Sequence, residues 1–552
     1  MEPEPERAAT MRAGTGRGGA AHGLGAGMAT VVGMSRHAAI ATSLIAVTGL
    51  LAGCAPGLAA NPRFATNAGA RPQGHAATTK PSNGPPPIAA PKNDLSWHDC
   101  TSKEFSDAAV PGAPGVKLDC ASYDADLDPV NGAAGTLSIG VVRARSVQTP
   151  HDAGPLVFTT GSDLPSSLQL PVWLARAGAD VLHSHPIVAV DRRGMGTSSP
   201  VDCLDQFDRQ EIRDQAQFQA GNDPVANLAD IVQNATTSCT DTIAPGNSAY
   251  DDTHAATDIE RLRSIWDVPA LALIGIGNGA QVALSYASSH PDRVARLVLD
   301  SPVALGVGAE AAAEQRVKGQ QAALDAFAAQ CAAVNCPLGP DPKAAVDSLL
   351  ADARAGHGPA GASVASVANA IGTALGFPAG DRVSTTNDLA TALANARSGD
   401  TNLLNSLINR AEATTGTDGQ FVNSCSDALN RPTPDRIREL VVAWAKLYPQ
   451  FGTVGALNLV KCVSWPSTSP PQSPKVLKVN VLLMGAQNDP IVGSEGVSAT
   501  AATIINATAA SKRVMWQGIG HGASIYSSCA VPPLIGYLDS GKLPSTDTYC
   551  PA

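Results

Sequence analysis

The chain has 552 residues, of which 44% are hydrophobic, 16% charged and only 4% aromatic. That length accommodates one large α/β domain with an insertion or a few smaller domains. A net charge of −10, with no basic run in the folded part, argues against the electrostatic footprint of a nucleic-acid binder.

The first segments in chain order stand outside the folded body. Met34 to His37 includes the basic Arg36 and is followed by an apolar stretch from Ala38 to Leu51 that ends in Leu51-Ala52-Gly53-Cys54. Small residues ahead of a cysteine after a short apolar run form a bacterial lipobox, and the run is shorter than the roughly 20 apolar residues of a comfortable membrane span. Residues 1–53 are therefore expected to be a leader and lipoprotein signal. Cys54 is then lipidated, and the protein is exported and anchored at the outer face of the cell membrane. The Glu- and Gly-rich residues ahead of Met28 are unlike a signal n-region, so a start at Met28 or Met34 suits the signal better. Residues 54–95 are rich in Ala, Pro, Gly, Thr and Asn and include Pro85-Pro86-Pro87, which predicts a disordered tether with a locally stiffened stretch.

Ten cysteines follow Cys54, an even number suited to an oxidising compartment. Neighbour-with-neighbour pairing is the expectation: Cys100 with Cys120, Cys203 with Cys239, Cys331 with Cys336, Cys425 with Cys462, and Cys529 with Cys550. Spacing alone does not decide connectivity. No C-x-x-C pair or histidine cluster supplies four zinc ligands, and His183 with His185 reads as surface, so neither a metal nor a cofactor is expected.

The body, residues 96–300 and 475–552, reads as alternating strands and helices. Strand-like apolar runs are Leu137 to Arg143, Leu156 to Phe158, Pro186 to Val190, Ala270 to Ile274, Arg296 to Asp300, Val479 to Met484 and Ser511 to Trp516. Helical spacing marks Ala255 to Trp266, Ala280 to Ser289 and Pro532 to Ser540. Apolar strands that alternate with helices and end in polar, glycine-rich turns predict a mostly parallel, doubly wound sheet. Between them, residues 301–474 turn predominantly helical, with candidates at Ala311 to Ala333, Pro342 to Ala355, Asp388 to Ala396, Thr401 to Ala413 and Pro434 to Leu447. This insertion is expected to form a lid over the carboxyl edge of the sheet.

Three turns at that edge carry the chemistry. Leu271 to Ala280 reads as strand, glycine-framed turn and helix start, the setting of the G-x-S-x-G nucleophile elbow. Gly277 stands at its centre, where a nucleophile belongs. Asp489 follows one later strand and His521 the last, giving the order nucleophile, acid, base. In that order the histidine takes the nucleophile's proton and the acid fixes its tautomer.

With Trp97-His98-Asp99-Cys100, Asp191-x-Arg193-Gly194-x-Gly196-x-Ser198, Asp258 to Arg263, Tyr286, His290 to Val294, Val298-Leu299-Asp300, Cys462 to Pro466, Asp489-Pro490 and Gly520-His521, the chain resembles the secreted tripeptidyl aminopeptidase and proline iminopeptidase branch of the α/β-hydrolases, including its lipid-anchored actinobacterial proteases and esterases. The resemblance runs from about Trp97 to Cys550. It implies an α/β-hydrolase fold with a helical lid and a Ser-Asp-His triad, and the sequence departs from that pattern twice. Gly277 replaces the serine, with Asn278 after it. In the oxyanion loop only Gly161 keeps register, while Ser162, Asp163 and Leu164 replace Gly, Pro and Gly. A carboxylate near a developing oxyanion opposes the stabilisation such a loop provides. Losing a serine nucleophile costs about a million-fold in turnover. The expectation is therefore a degenerate hydrolase fold that binds a peptide, lipid or protein partner, with Asp489 and His521 as triad vestiges and Gly161, Ser162 and Asn278 in the altered oxyanion loop. The alternatives are an active peptidase or esterase with rearranged chemistry using His521 and Asp489, with Ser162 as one substitute hydroxyl, or a structural envelope lipoprotein with no ligand pocket.

Overall fold

A computed structural model of the chain describes residues 85–466 and 469–552. The leader, the lipobox and Cys54 lie outside the described residues. Ten strands form one sheet: β1 (His98–Asp99), β2 (Val116–Asp126), β3 (Thr136–Ser146), β4 (Leu156–Thr159), β5 (Ile187–Val190), β6 (Leu271–Ile276), β7 (Val294–Asp300), β8 (Val481–Asn488), β9 (Ser511–Ile519) and β10 (Thr548–Cys550). Their spatial order is β1-β2-β3-β5-β4-β6-β7-β8-β9-β10. β1, β2, β3 and β5 pair antiparallel in turn, and every pairing from β5 through β10 is parallel.

The central strands are continuous apolar runs because both of their faces are covered. Every residue of β4, β5, β6 and β7 is buried. Along β6, Leu271 and Leu273 enter one hydrophobic core while Ala272, Ile274 and Ile276 enter another, the two-sided burial of a doubly wound sheet. The expected α/β-hydrolase architecture is thus present. The chain steps one way from β4 to β5 and the other way from β4 to β6. The carboxyl ends of β4 and β6 therefore form a topological switch point, where ligands of such sheets bind.

Three strands escaped the sequence reading. β1 and β10 are two and three residues long. β2 is antiparallel, and its burial alternates only in part, so its apolar signal is diluted by Asp119, Ser122 and Asp124. The helices Gln206–Asp214, Pro224–Thr242 and Val364–Gly376 were also missed, although each carries apolar residues at helical spacing.

Two expected boundaries move. Residues 85–95, assigned by composition to the tether, run along the body instead. Arg296 Nη1 donates to Pro86 O at 2.9 Å, and Lys92 N donates to Trp266 O at 2.9 Å. The proline-rich stretch has no core of its own, but its carbonyls satisfy donors of the body. The lid is likewise wider than residues 301–474. The helices Gln206–Asp214 and Pro224–Thr242, between β5 and β6, share one hydrophobic core with the helices inserted between β7 and β8. Leu228 and Val232 from the first segment are buried in the same cluster as Phe327, Leu349 and Phe421 from the second.

Five disulfides join Cys100 to Cys120, Cys203 to Cys239, Cys331 to Cys336, Cys425 to Cys462 and Cys529 to Cys550, the pairs expected from neighbours along the chain. Three of them staple the lid. No helix among the described residues is long and apolar enough to cross a membrane.

Candidate functional site

Gly277 links β6 to the helix Asn278–Ser289 with φ +58° and ψ −121°, a conformation that strains any residue with a β-carbon. The sharp turn is pinned by Gly277 N, which donates to Asp300 O at 2.9 Å. Gly279 lets the helix approach β4, since a β-carbon there would collide with Thr159 O. The turn has the geometry of an elbow, with glycine at its apex.

His521 and Asp489, placed by the turns after β9 and β8, meet as the chain order implied. Asp489 Oδ2 lies 2.9 Å from His521 Nδ1, and both side chains are almost wholly buried. Asp489 Oδ1 also accepts from the amides of Ile491 at 2.9 Å and Val492 at 3.2 Å, so the Asp-Pro turn holds the carboxylate in place. His521 is fixed from the lid as well: its amide donates to Gly376 O at 2.8 Å, and Phe377 packs edge-on to its ring. Asp300 anchors the turn after His521 through Ala523 N and Ser524 N, at 2.9 and 2.7 Å.

Asp163 occupies the vacancy at residue 277. A β-carbon built on Gly277 would collide with Asp163 Oδ2 and lie 2.6 Å from His521 Nε2. A side chain at 277 would thus point at the imidazole, into the space that the Asp163 carboxylate fills. Asp163 Oδ2 accepts from Asn278 N at 2.6 Å and faces His521 Nε2 at 3.5 Å, an ion-pair distance rather than a hydrogen bond. In α/β-hydrolases the N–H after the elbow apex, the position of Asn278, and one from a loop near the elbow serve as oxyanion donors. On the loop after β4, Ser162 N donates to Asn278 Oδ1 at 2.8 Å. An internal carboxylate takes one donor and a side-chain amide takes the other. Burial pushes the His521 pKa down, but Asp489 and Asp163 outweigh it and hold it up at about 10. The two carboxylates thus favour the imidazolium form of the ring, which has no lone pair to accept a proton.

The sequence reading flagged Asp163 only as a carboxylate unfavourable to an oxyanion and did not anticipate this occupancy. It passed over Arg192, Asp252 and Asp427 entirely. Arg192 Nη1 donates to Asn278 Oδ1 at 2.6 Å, Asp427 Oδ2 at 2.7 Å and Asp252 Oδ1 at 3.1 Å, lashing Asn278 to the lid. Burial raises the pKa of both carboxylates, so the cluster holds its protons more tightly than isolated acids do. The signal was available in the sequence: Arg192 sits inside the Asp191-to-Ser198 motif. Neighbouring Arg193 pairs with Asp258 at 2.6 Å, and Asp191 accepts from Ser167 and Thr197, giving the motif its structural role beneath the site. Gly161, with φ +59°, presses against Asn278 as the loop turns. Ser162 has no hydrogen bond to His521. Trp465 donates to Ser426 Oγ at 3.1 Å within the lid core. Among the described residues the one grouping with metal-ligand spacing is Cys100, Glu104 and Cys120, and the disulfide consumes both sulfurs.

The strand order, the elbow after β6, the acid after β8 and the base after β9 define an α/β-hydrolase fold. Residues 448–550, which include Asp489 and His521, match the family model Abhydrolase_4, described as TAP-like protein. The chain is also similar to the serine protease Hip1 of Mycobacterium tuberculosis and of Mycobacterium bovis, at 26% identity over 266 residues, 47% of this chain and 50% of that protein. It therefore matches about half the length of these relatives. Among solved structures it is similar to esterase E22, at 12% identity and TM-score 0.40, over 76% of this chain and 98% of that one. It is also similar to a membrane phospholipase A, at 14% identity and TM-score 0.31, over 80% of this chain and 89% of that one.

Proposed function

We propose that the protein is a catalytically degenerate α/β-hydrolase, exported and held at the outer face of the cell membrane by a lipid on Cys54, that binds a peptide, lipid or protein partner without cleaving it. The carrying observation is the Asp163 carboxylate, which takes the Asn278 N–H and fills the space beside His521 that a nucleophile would need. A serine hydrolase requires a nucleophile, a neutral imidazole and free oxyanion donors. Here the first is absent, the second is charged and the third are occupied. The lipobox and the five disulfides support an extracytoplasmic setting. An active peptidase or esterase running on His521 and Asp489 would have to expel Asp163 and discharge His521 before the first turnover.

The test is a fluorophosphonate probe on the purified full chain, with hydrolysis of nitrophenyl esters followed in parallel. No labelling and background hydrolysis are expected. Stoichiometric labelling that disappears in His521→Ala would overturn the degenerate reading.

A further inference from the structure

A cavity of about 310 Å³ opens between the switch point and the lid, lined by Ser162, Asp163 and Asn278 at its base and by Arg316 and Lys461 from the lid. Arg316 belongs to the helix Ala309–Ala333, and Lys461 to the short helical turn Leu459–Cys462. Both are only partly exposed. Neither head group has a carboxylate partner or a hydrogen bond among the described residues, and Arg316 Nε is buried without an acceptor. The acids that face the same cavity are engaged elsewhere. Asp163 is held by Asn278 N–H and His521, and Asp427 by Arg192. Two partly buried cations beside one another, with the local carboxylates already committed, leave a charge that an incoming anion would neutralise. The other wall is apolar, from Val303, Val307, Val317, Leu429 and Val492.

We propose that this cavity is a binding site for a small anionic amphiphile, a carboxylate or phosphate head paired with Arg316 and Lys461 and a short apolar portion lying against the valine wall. The proposal rests on the non-catalytic reading above and gives it a ligand class. The state of the two cations agrees with it. Burial holds Arg316 below its ordinary pKa despite the opposing charges of Asp163 and Asp489, and burial together with Arg316 pushes Lys461 down to about 8. These are the signs of cations without a counter-ion.

The experiment is calorimetric titration of the full chain with octanoate, octyl phosphate and neutral octanamide. At least one of the two anions should bind one-to-one, and more tightly than octanamide; the tighter of them identifies the head group. Arg316→Gln and Lys461→Met should each weaken anion binding by about tenfold to a hundredfold, the worth of a hydrogen bond to a charged group. Lys461→Arg should retain it, and thermal unfolding confirms that each variant is folded. At pH 9, anion binding should draw a proton onto Lys461. The heat measured in buffers of different ionisation enthalpy then differs for the unaltered protein and not for Lys461→Met. Equal binding of octanamide and both anions, or anion binding unchanged in both neutral variants, would overturn the anion site while leaving the degenerate reading untouched. Probe labelling at His521-dependent stoichiometry would remove the degenerate reading, and the binding series would still decide the site.

Discussion

At the scale of single residues, the glycine at position 277 is inseparable from the position of Asp163. A serine restored at 277 would carry its β-carbon into Asp163 Oδ2. Gly277→Ser alone is therefore expected to leave nitrophenyl butyrate hydrolysis at background. Gly277→Ser with Asp163→Gly frees the Asn278 N–H and the space beside His521. Because one oxyanion donor is worth about a hundredfold to a thousandfold in turnover, the double variant should exceed the single one by a factor of that order. Equal rates in the two would show that Asp163 is not the obstruction. His521 supplies a second observable. With its pKa near 10, its ring nitrogens should keep their imidazolium NMR shifts to about pH 9, and Asp163→Asn should move that titration downward. A folded pKa above the ordinary histidine value of about 6.5 gives stabilisation that is complete below that pH. The stabilisation is lost as pH rises through 10. Lys461, with its pKa pushed down to about 8, works in the opposite sense above that pH. The difference in thermal midpoint between the unaltered chain and Asp163→Asn isolates the His521 contribution, and it should shrink as pH rises toward 10.

At the scale of elements, the β6 elbow is held by local geometry. Gly277 holds φ +58° and ψ −121° because the following helix must start close against β4 and β7. Gly277→Ala is expected to cost about 1–3 kcal/mol from backbone strain alone, measured by urea unfolding. The loss should be smaller when Asp163→Gly removes the collision. Beneath the site, Arg193 is fully buried and makes a two-pronged pair with Asp258. Asp258→Ala leaves that charge uncompensated and should cost about 3–5 kcal/mol; a loss below about 1 kcal/mol, the range of exposed ion pairs, would contradict the burial. The elements themselves were largely legible. β4, β5, β6 and β7 announce themselves as apolar runs, and Pro434–Leu447 as an amphipathic helix with a Thr433 cap. Among the missed elements, β1 and β10 are too short to leave a pattern and polar residues interrupt the alternation of β2, whereas Gln206–Asp214, Pro224–Thr242 and Val364–Gly376 were passed over despite their helical spacing.

At the scale of the whole molecule, the lid is built from two stretches of chain, residues 203–250 and 317–465, around one hydrophobic core. Its stability depends on bridges as well as packing. Cys425–Cys462 spans 37 residues, and replacing both cysteines with alanine should cost about 2–4 kcal/mol. Because His521 and the cavity are both closed from above by the lid, hydrogen exchange in Val364–Gly376 and Asp418–Asp427 should rise in that variant before exchange in β6 and β7 does. Uniform acceleration would mean that lid and sheet open as one unit.

The sequence by itself determined the alternation of the central strands with helices, the even cysteine count, the position of the elbow, and the glycine at its apex. These follow from short-range rules of apolar period, turn chemistry and motif order, each satisfied within a few residues. Only the tertiary structure decided what lies against that glycine. Asp163 and His521 are far apart along the chain, and their approach depends on where β4 and β9 end and how the intervening loops turn. The same holds for Arg316 and Lys461, which come from separate lid elements and leave no local pattern. Whether such a charge is paired, buried or left open is set by neighbours that only the packed fold brings within reach.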